Sequence, residues 1–300
     1  MSVGSYVRRF WQFYVMLLFP ILFFGLFKYG PMYGIIIAFK DYSIFQGMWT
    51  SPWNGLETFR NVFAMHTFTV AFRNTFLLNL LDLLVSFPAP IILALMLNEV
   101  RQKWTKKVFQ TVMYFPHFVS WVIIGGLFLQ IFATNTGIIN QLLSSAGYDS
   151  IPFLTNKYWW LITYLAAGVW QSVGWGTIIY LAALTGINKE LYEAAETDGA
   201  GRMRRMWHIT LPGIRPTIII LFILAIGEMP RIGFERPFIL GNAMVSDFSE
   251  VLSTFVYKVG LQTGEFSTAT AVGLFQSVIA LVFLLSANAI SKKSAGQGII

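Results

Sequence analysis

The sequence predicts an all-α integral membrane protein of about six transmembrane helices, and two observations carry that prediction. Of its 300 residues, 56% are hydrophobic and only 12% are charged, about half the charged share of an ordinary soluble domain. That leaves too little polar material to cover a water-facing surface. The apolar residues also fall into runs of bilayer length, which means about 20 mostly apolar residues per helix. The net charge of +7 is spread in short basic clusters between those runs, a pattern of membrane topology, and no nucleic-acid partner is expected. With no cysteine, neither a disulfide nor a thiolate metal site is available.

Spans are predicted at residues 11–38, 69–97, 108–133, 158–186, 214–234 and 267–290. The first follows Arg8 and Arg9 and keeps large residues to its end, so it reads as an uncleaved span, not a signal peptide. Residues 40–68 read as an outer, partly ordered loop broken by Gly47, Pro52 and Gly55. Span two carries Asn74, Asn79 and Asp82. An isolated carboxylate at that depth needs a partner or a cavity, and the sequence does not choose between the two. In span four, Gly168, Gly174 and Gly176 permit close helix contact. Span five is short: about 12 residues separate Arg215 from Glu228, roughly 18 Å at helical rise against a hydrocarbon core of about 30 Å. The run Gly227-Glu-Met-Pro-Arg-Ile-Gly-Phe-Glu-Arg-Pro237 breaks it, placing Glu228, Pro230 and Arg231 within the outer half of the membrane.

Basic residues set the orientation. Arg8, Arg9, Arg101, Lys103, Lys106, Lys107, Lys189, Arg202, Arg204, Arg205, Arg215, Lys292 and Lys293 fall on one side, and Lys40, Arg60, Lys157, Arg236 and Lys258 on the other. The positive-inside rule puts both termini in the cytoplasm. Trp11, Tyr14, Tyr29, Tyr33, Trp104, Tyr158, Trp159 and Trp160 cluster at the expected interfaces, where amphipathic rings settle. Lys28 reads as a snorkelling side chain. The chain is expected to form one membrane domain, residues 1–300, with an inner loop at 187–212.

That loop, from Asn188 to Pro212, reads as two short helices. Asn188 can cap the first, with Glu190 and Glu193 near its positive end. Gly199 or Gly201 can supply the left-handed residue that ends it. Pro212 is expected to close the second. The spacing also fits a plain connecting hairpin. However, Glu193, Ala194, Ala195, Asp198, Gly199, Ala200, Ile209, Leu211 and Pro212 resemble, in register, the EAA loop of binding-protein-dependent ABC importer permeases. The resemblance implies a type I importer fold in which this loop docks into a groove on the ATPase subunit. Two departures stand out: Met206 and Trp207 replace an aromatic pair, and Arg202, Arg204 and Arg205 make an unusually basic run. Those arginines either pair with the ATPase or hold the loop inside.

The segments 29–41, 55–59, 97–99, 114–121 and 269–275 resemble the oligosaccharide and polysaccharide permeases of the carbohydrate-uptake group. The implied partners are a second homologous permease chain in a heterodimer, two ATPase subunits, an extracytoplasmic solute-binding protein and an oligosaccharide. The implied setting is the bacterial cytoplasmic membrane. The chain has no Gly-x-x-x-x-Gly-Lys-Ser/Thr loop, so ATP and Mg are expected on the partner ATPase, with no cofactor here. Its histidines, His66, His117 and His208, are dispersed, so neither a metal site nor enzyme chemistry is expected.

For the substrate path, Gln171 and Trp175 stand as sugar contacts or as packing, since amides bind hydroxyls and aromatic faces stack on sugar rings. Glu228 and Arg231 form an internal pair positioning a kinked helix, or line the path together with Glu235 and Arg236. Relatives commonly carry Asn and Gln near 231 and 236. Two arginines there favour carboxylates, hence an acidic saccharide such as a uronate polymer like alginate or a pectin fragment. The rival reading is an ion-coupled secondary transporter, which would place substrate at broken helices related by internal repeats. No repeat is evident, and such a carrier has no use for the 193–212 loop.

Overall fold

The computed structural model describes residues 3–100 and 102–295. Arg101 and the Lys293 side chain, both assigned above to the basic side, lie outside it. Every regular element is helical, and the one β feature among the described residues is an isolated bridge between Lys40 and Trp53. The residues gather into two compact units. One comprises the chain as far as Met65 together with Val256–Phe275, and the other comprises His66–Phe255 together with the chain from Gln276 onward.

In the first unit, helix α1 (Val3–Phe24) continues through a π turn at Gly25–Tyr29 and a 3₁₀ stretch at Gly30–Phe39. Arg8–Phe39 is long and apolar enough to cross a membrane, and none of its apolar window is buried within this chain. A helix apolar on all sides belongs inside lipid or against another protein. The predicted loop after it is more ordered than expected. Lys40 is buried and donates to the carbonyls of Met48 (2.8 Å) and Trp49 (3.1 Å). Ser267 donates to the Lys40 carbonyl at 2.7 Å and accepts from Tyr42 N at 3.0 Å. Gly47 and Gly55 turn the chain with φ of 75° and 63°, conformations that L side chains avoid. Helix α2 (Glu57–Ala64) closes the loop.

In the second unit, α3 (His66–Val85) and α4 (Pro88–Glu99) make one membrane-length run. Next come α5 (Lys103–Tyr114), a 3₁₀ turn at Phe115–Phe118 and α6 (Trp121–Phe132). The sequence predicts a single span at 108–133, but the axis bends by 104°. Val119 and Ser120 both take extended backbone, and Ser120 starts the new helix as its N-cap. A short α7 (Ile138–Ser145) leads to α8 (Lys157–Thr185), capped by Asn156 and one residue off its predicted bounds. Then follow α9 (Lys189–Thr197), α10 (Arg215–Gly227), α11 (Glu235–Leu240) and α12 (Phe266–Ala295), the last beginning in the first unit.

Among the described residues, three helices are long and apolar enough to span, or five if each bent pair counts as one. These match five of the six predicted positions. The sixth, α8, has 29 residues, about 44 Å of helix, but its Gly, Trp and Gln content makes it less apolar.

α8 is the post of this unit, with α4 and α5 packed along it. Its glycines are where neighbours come closest, as predicted. A Cβ on Gly174 would stand 1.9 Å from the Met113 carbonyl oxygen, and one on Gly176 would stand 2.9 Å from Pro90 Cγ. Above them Trp160, Tyr164 and Ala167 join Leu78, Ile124 and Phe128 in the core.

Gly174→Leu should therefore destabilise the fold by about 1–3 kcal/mol or more, because a backbone carbonyl cannot move aside as a side chain can. Gly126→Leu, with open space around it, should unfold with the wild type. Thermal unfolding in detergent decides, and equal melting of the two variants would refute the close contact.

Candidate functional site

The inner loop folds as a pinned helical hairpin. Asn188 Oδ1 accepts from Glu190 N at 3.0 Å, the predicted cap. Of the two candidate glycines, Gly199 supplies the left-handed residue, with φ of 74°. Around it Ala200 N donates to Ala195 O (2.8 Å) and Gly199 N to Glu196 O (3.0 Å), the two bonds of a Schellman stop. The chain then returns through Arg202–Arg205, a π turn at Met206–Thr210 and Leu211–Gly213. Tyr192 donates its hydroxyl hydrogen to Thr210 Oγ1 at 3.0 Å, and Arg205 pairs with Glu196, so the arms hold each other. One arginine of the basic run is thus spent within the loop.

Glu193, Ala194, Asp198 and Gly199 are exposed, with Ala195 and Ala200 half-buried; on the return arm Ile209 and Leu211 are half-buried and Pro212 exposed. Leu191, Met203 and Trp207 add exposed apolar surface. Pro212 does not close the second helix as expected. It sits in the first turn of Leu211–Gly213, where a missing N–H costs nothing. The break falls at Ile214, and the helices on either side differ by 60°. Ile214 is fully buried against Ala94, Tyr180 and Leu184, which roots the hairpin in the bundle.

The second feature is the break after α10. Helical geometry stops at Gly227, and a polar stripe on α3 takes up the freed backbone. Asn79 donates to Met229 O at 2.7 Å. Asn74, fully buried, donates to Asp247 O and Glu250 O, both at 2.9 Å. Thr75 accepts from Leu252 N at 2.9 Å. Gln276 reaches Pro230 O at 2.7 Å, and Trp160 Nε1 donates to Leu240 O at 2.8 Å. Asp82, left open by the sequence, forms an ion pair with Arg236 and accepts from Ser86 Oγ at 3.1 Å. The Arg236 guanidinium lies 3.9 Å from the Tyr164 ring centre. It fits because Gly168 opposite has no side chain: a Cβ there would stand 1.8 Å from Nη1.

A cavity of about 450 Å³ adjoins this pair, lined by Asn79, Asp82, Trp121, Tyr164, Glu235 and Arg236 among others. The Trp121 ring, an amide and charged groups can together meet a polyhydroxylated ring, while Tyr164 backs the wall fully buried, its faces taken by Arg236 and Trp160. Of the sequence candidates, Glu235 and Arg236 line it. Glu228 and Arg231 are both exposed and are linked only by Arg231 N donating to Glu228 O at 2.8 Å; their side chains form no ion pair among the described residues. Gln171 and Trp175 stand elsewhere, at the bend before α6. Gln171 donates to His117 O at 3.5 Å, and Trp175 stacks on His117 with centroids 4.6 Å apart. Sequence reasoning missed the Asp82–Arg236 partnership and the lining roles of Trp121 and Tyr164. The only signal was two opposite charges in apolar surroundings, 154 positions apart.

Residues 86–295 match the family described as binding-protein-dependent transport system inner membrane component. The chain is 46% identical over 286 residues to protein LplB of Bacillus subtilis (strain 168), covering 95% of this chain and 90% of that one. It is equally identical to the polygalacturonan/rhamnogalacturonan transport system permease protein YteP of the same organism, covering 95% and 89%. Among solved structures, it superposes on a chain of a bacterial ABC transporter involved in import of the acidic polysaccharide alginate. The TM-score is 0.90, with 40% identity over 98% of this chain and 99% of that one. A bacterial alginate ABC transporter in complex with a pentasaccharide-bound periplasmic protein matches at TM-score 0.90 and 39% identity, with both chains fully covered.

Breaking the Asp82–Arg236 pair from one side should strand a mostly buried charge. Asp82→Asn or Arg236→Gln is expected to cost about 3–5 kcal/mol, and Asp82→Asn with Arg236→Gln together much less than their sum. A double-mutant cycle on unfolding in detergent checks this. Additive losses would mean that the two groups do not act as a pair.

Proposed function

The chain belongs to the family of binding-protein-dependent transport system inner membrane components, and from that premise we propose that it is the pore-forming permease subunit of an ATP-driven importer of acidic oligosaccharides. The observation that carries this reading is the hairpin at 188–213. It is capped at both ends of α9, pinned between its arms, rooted through Ile214, and presents Glu193, Ala194, Asp198 and Gly199 outward. A surface so rigid suits transmission of a partner's closure into the bundle. The partners are two ATPase subunits, which hold ATP and Mg, a second permease chain and an extracytoplasmic binding protein. The complex sits in the bacterial cytoplasmic membrane with both termini of this chain inside.

Two lines support the substrate class. YteP is named for polygalacturonan and rhamnogalacturonan transport, and the structural neighbours for alginate; those polymers carry carboxylates. Within this chain, Arg236 is neutralised by Asp82, which leaves Arg231 as the exposed cation of the broken segment. A guanidinium there can meet a carboxylate with two parallel hydrogen bonds. Arg231 is therefore the residue for acidic-sugar selectivity, while Arg236 shapes the cavity wall.

The complex, reconstituted with its binding protein, should show ATPase activity stimulated by acidic oligosaccharide. Gly199→Asp and Glu193→Ala should abolish the stimulation while the permease still folds, although forcing a side chain into the left-handed region costs about 1–2 kcal/mol. If no ATPase co-purifies and both variants take up sugar on an ion gradient, the chain is a secondary carrier instead. Arg231→Asn should lower acidic-sugar uptake by about tenfold or more, the loss of a hydrogen bond to a charged group, and leave neutral-sugar uptake alone. Equal effects on both sugars would remove Arg231 from the selectivity role.

A further inference from the structure

A groove of about 750 Å³ lies between α5 and the last turns of α8, with the start of α9 at its end. Lys106 of α5 and Lys189 of α9 both line it, and no Asp or Glu does. Neither lysine forms an ion pair among the described residues. Gln110 and Tyr114 extend the Lys106 stripe along α5, one helical turn apart. The facing wall is different in character: Ile178 and Leu181 line it with apolar side chains. The groove thus pairs positive charge and polar groups on one side with hydrocarbon on the other.

Depth in the bilayer narrows the occupant. Lys103, Lys106 and Lys107 belong to the basic side of the chain, and Trp104 beside them is 71% exposed. Exposed tryptophan next to lysines marks the headgroup level of the inner leaflet, where anionic lipids concentrate near basic residues. A free phosphate would satisfy the lysines but leave Ile178 and Leu181 facing water, whereas a phospholipid satisfies both walls. We propose that this groove binds an anionic phospholipid, its phosphate held between Lys106 and Lys189 and an acyl chain lying along Ile178 and Leu181. The inference rests on the orientation given under the proposed function. Because Lys189 opens α9, the bound lipid ties α5 to the hairpin that meets the ATPase, and its presence tunes how firmly that hairpin is held.

The test uses the whole purified complex and reads bound lipid by native mass spectrometry after exchange into nanodiscs of phosphatidylcholine with or without phosphatidylglycerol. Wild type should retain phosphatidylglycerol, and Lys106→Gln/Lys189→Gln should retain about an order of magnitude less, the expected effect of two lysines at a charged surface. Lys103→Gln/Lys107→Gln removes the same number of charges from beside Lys106 without touching the groove lining and should retain it. Lys106→Arg/Lys189→Arg should restore retention, which separates lost charge from lost folding. Equal retention in wild type and the groove variant overturns the proposal. So does displacement of the lipid by excess water-soluble glycerol phosphate, which would make the groove a simple phosphate site. Cross-links from Lys106 to a partner chain in a lipid-free complex overturn it as well, since a protein segment would then fill the groove. Because the readout is bound lipid, failed transport with lipid retained would count against the proposed function alone.

Discussion

The rest of the second unit depends on one constraint: the chain leaves helical geometry after Gly227, and the carbonyls it frees cannot be left bare. In lipid no water arrives to satisfy them, and each unsatisfied group costs several kcal/mol. The structure answers with side chains. Asn74, Asn79, Gln276, Trp160 and, through its ion pair, Asp82 all reach residues between Met229 and Glu250. Four helical positions separate Asn74 from nearby Leu78, and four more reach Asp82, so the polar residues of α3 share one face. A largely apolar helix carries that stripe because an irregular segment lies against it.

That arrangement makes the break usable. A sharp end to α10 leaves Arg231 and Glu228 exposed instead of sealed in a helix–helix contact. It also brings α11 back so that Glu235 and Arg236 face Trp121 and Tyr164 around the cavity. The ion pair is affordable there because Tyr164 supplies a cation–π face and Gly168 supplies room. Charge buried without such compensation would be a net loss.

α8 connects the two candidate sites physically. Its Tyr164 and Gly168 border the Arg236 site, and four turns onward Tyr180 and Leu184 pack on Ile214, the root of the inner hairpin. A 29-residue helix is stiff over that distance, and Gly174 and Gly176 lock it to α5 and α4 at close range. Packed, largely incompressible contacts therefore run without a break from the root of the hairpin to the cavity wall.

The sequence by itself determined the membrane class, the positions of the long helices, the cap at Asn188 and a glycine stop at Gly199 or Gly201. All of these are local: they follow from apolar run length, from the need to satisfy helix-end donors, and from the residue that tolerates positive φ. The EAA-type pattern was legible for the same reason, being contiguous in the chain. The tertiary structure alone decided the partner of Asp82, the order of the loop clamped by Lys40, the bend before α6 and the survival of helix through Pro212. Those outcomes depend on which groups meet across long stretches of chain, and neither charge nor hydropathy along the sequence encodes that meeting. Arg231 and Arg236 show the difference most clearly. They read alike in sequence, and only the position of one carboxylate on α3 leaves the first free and neutralises the second.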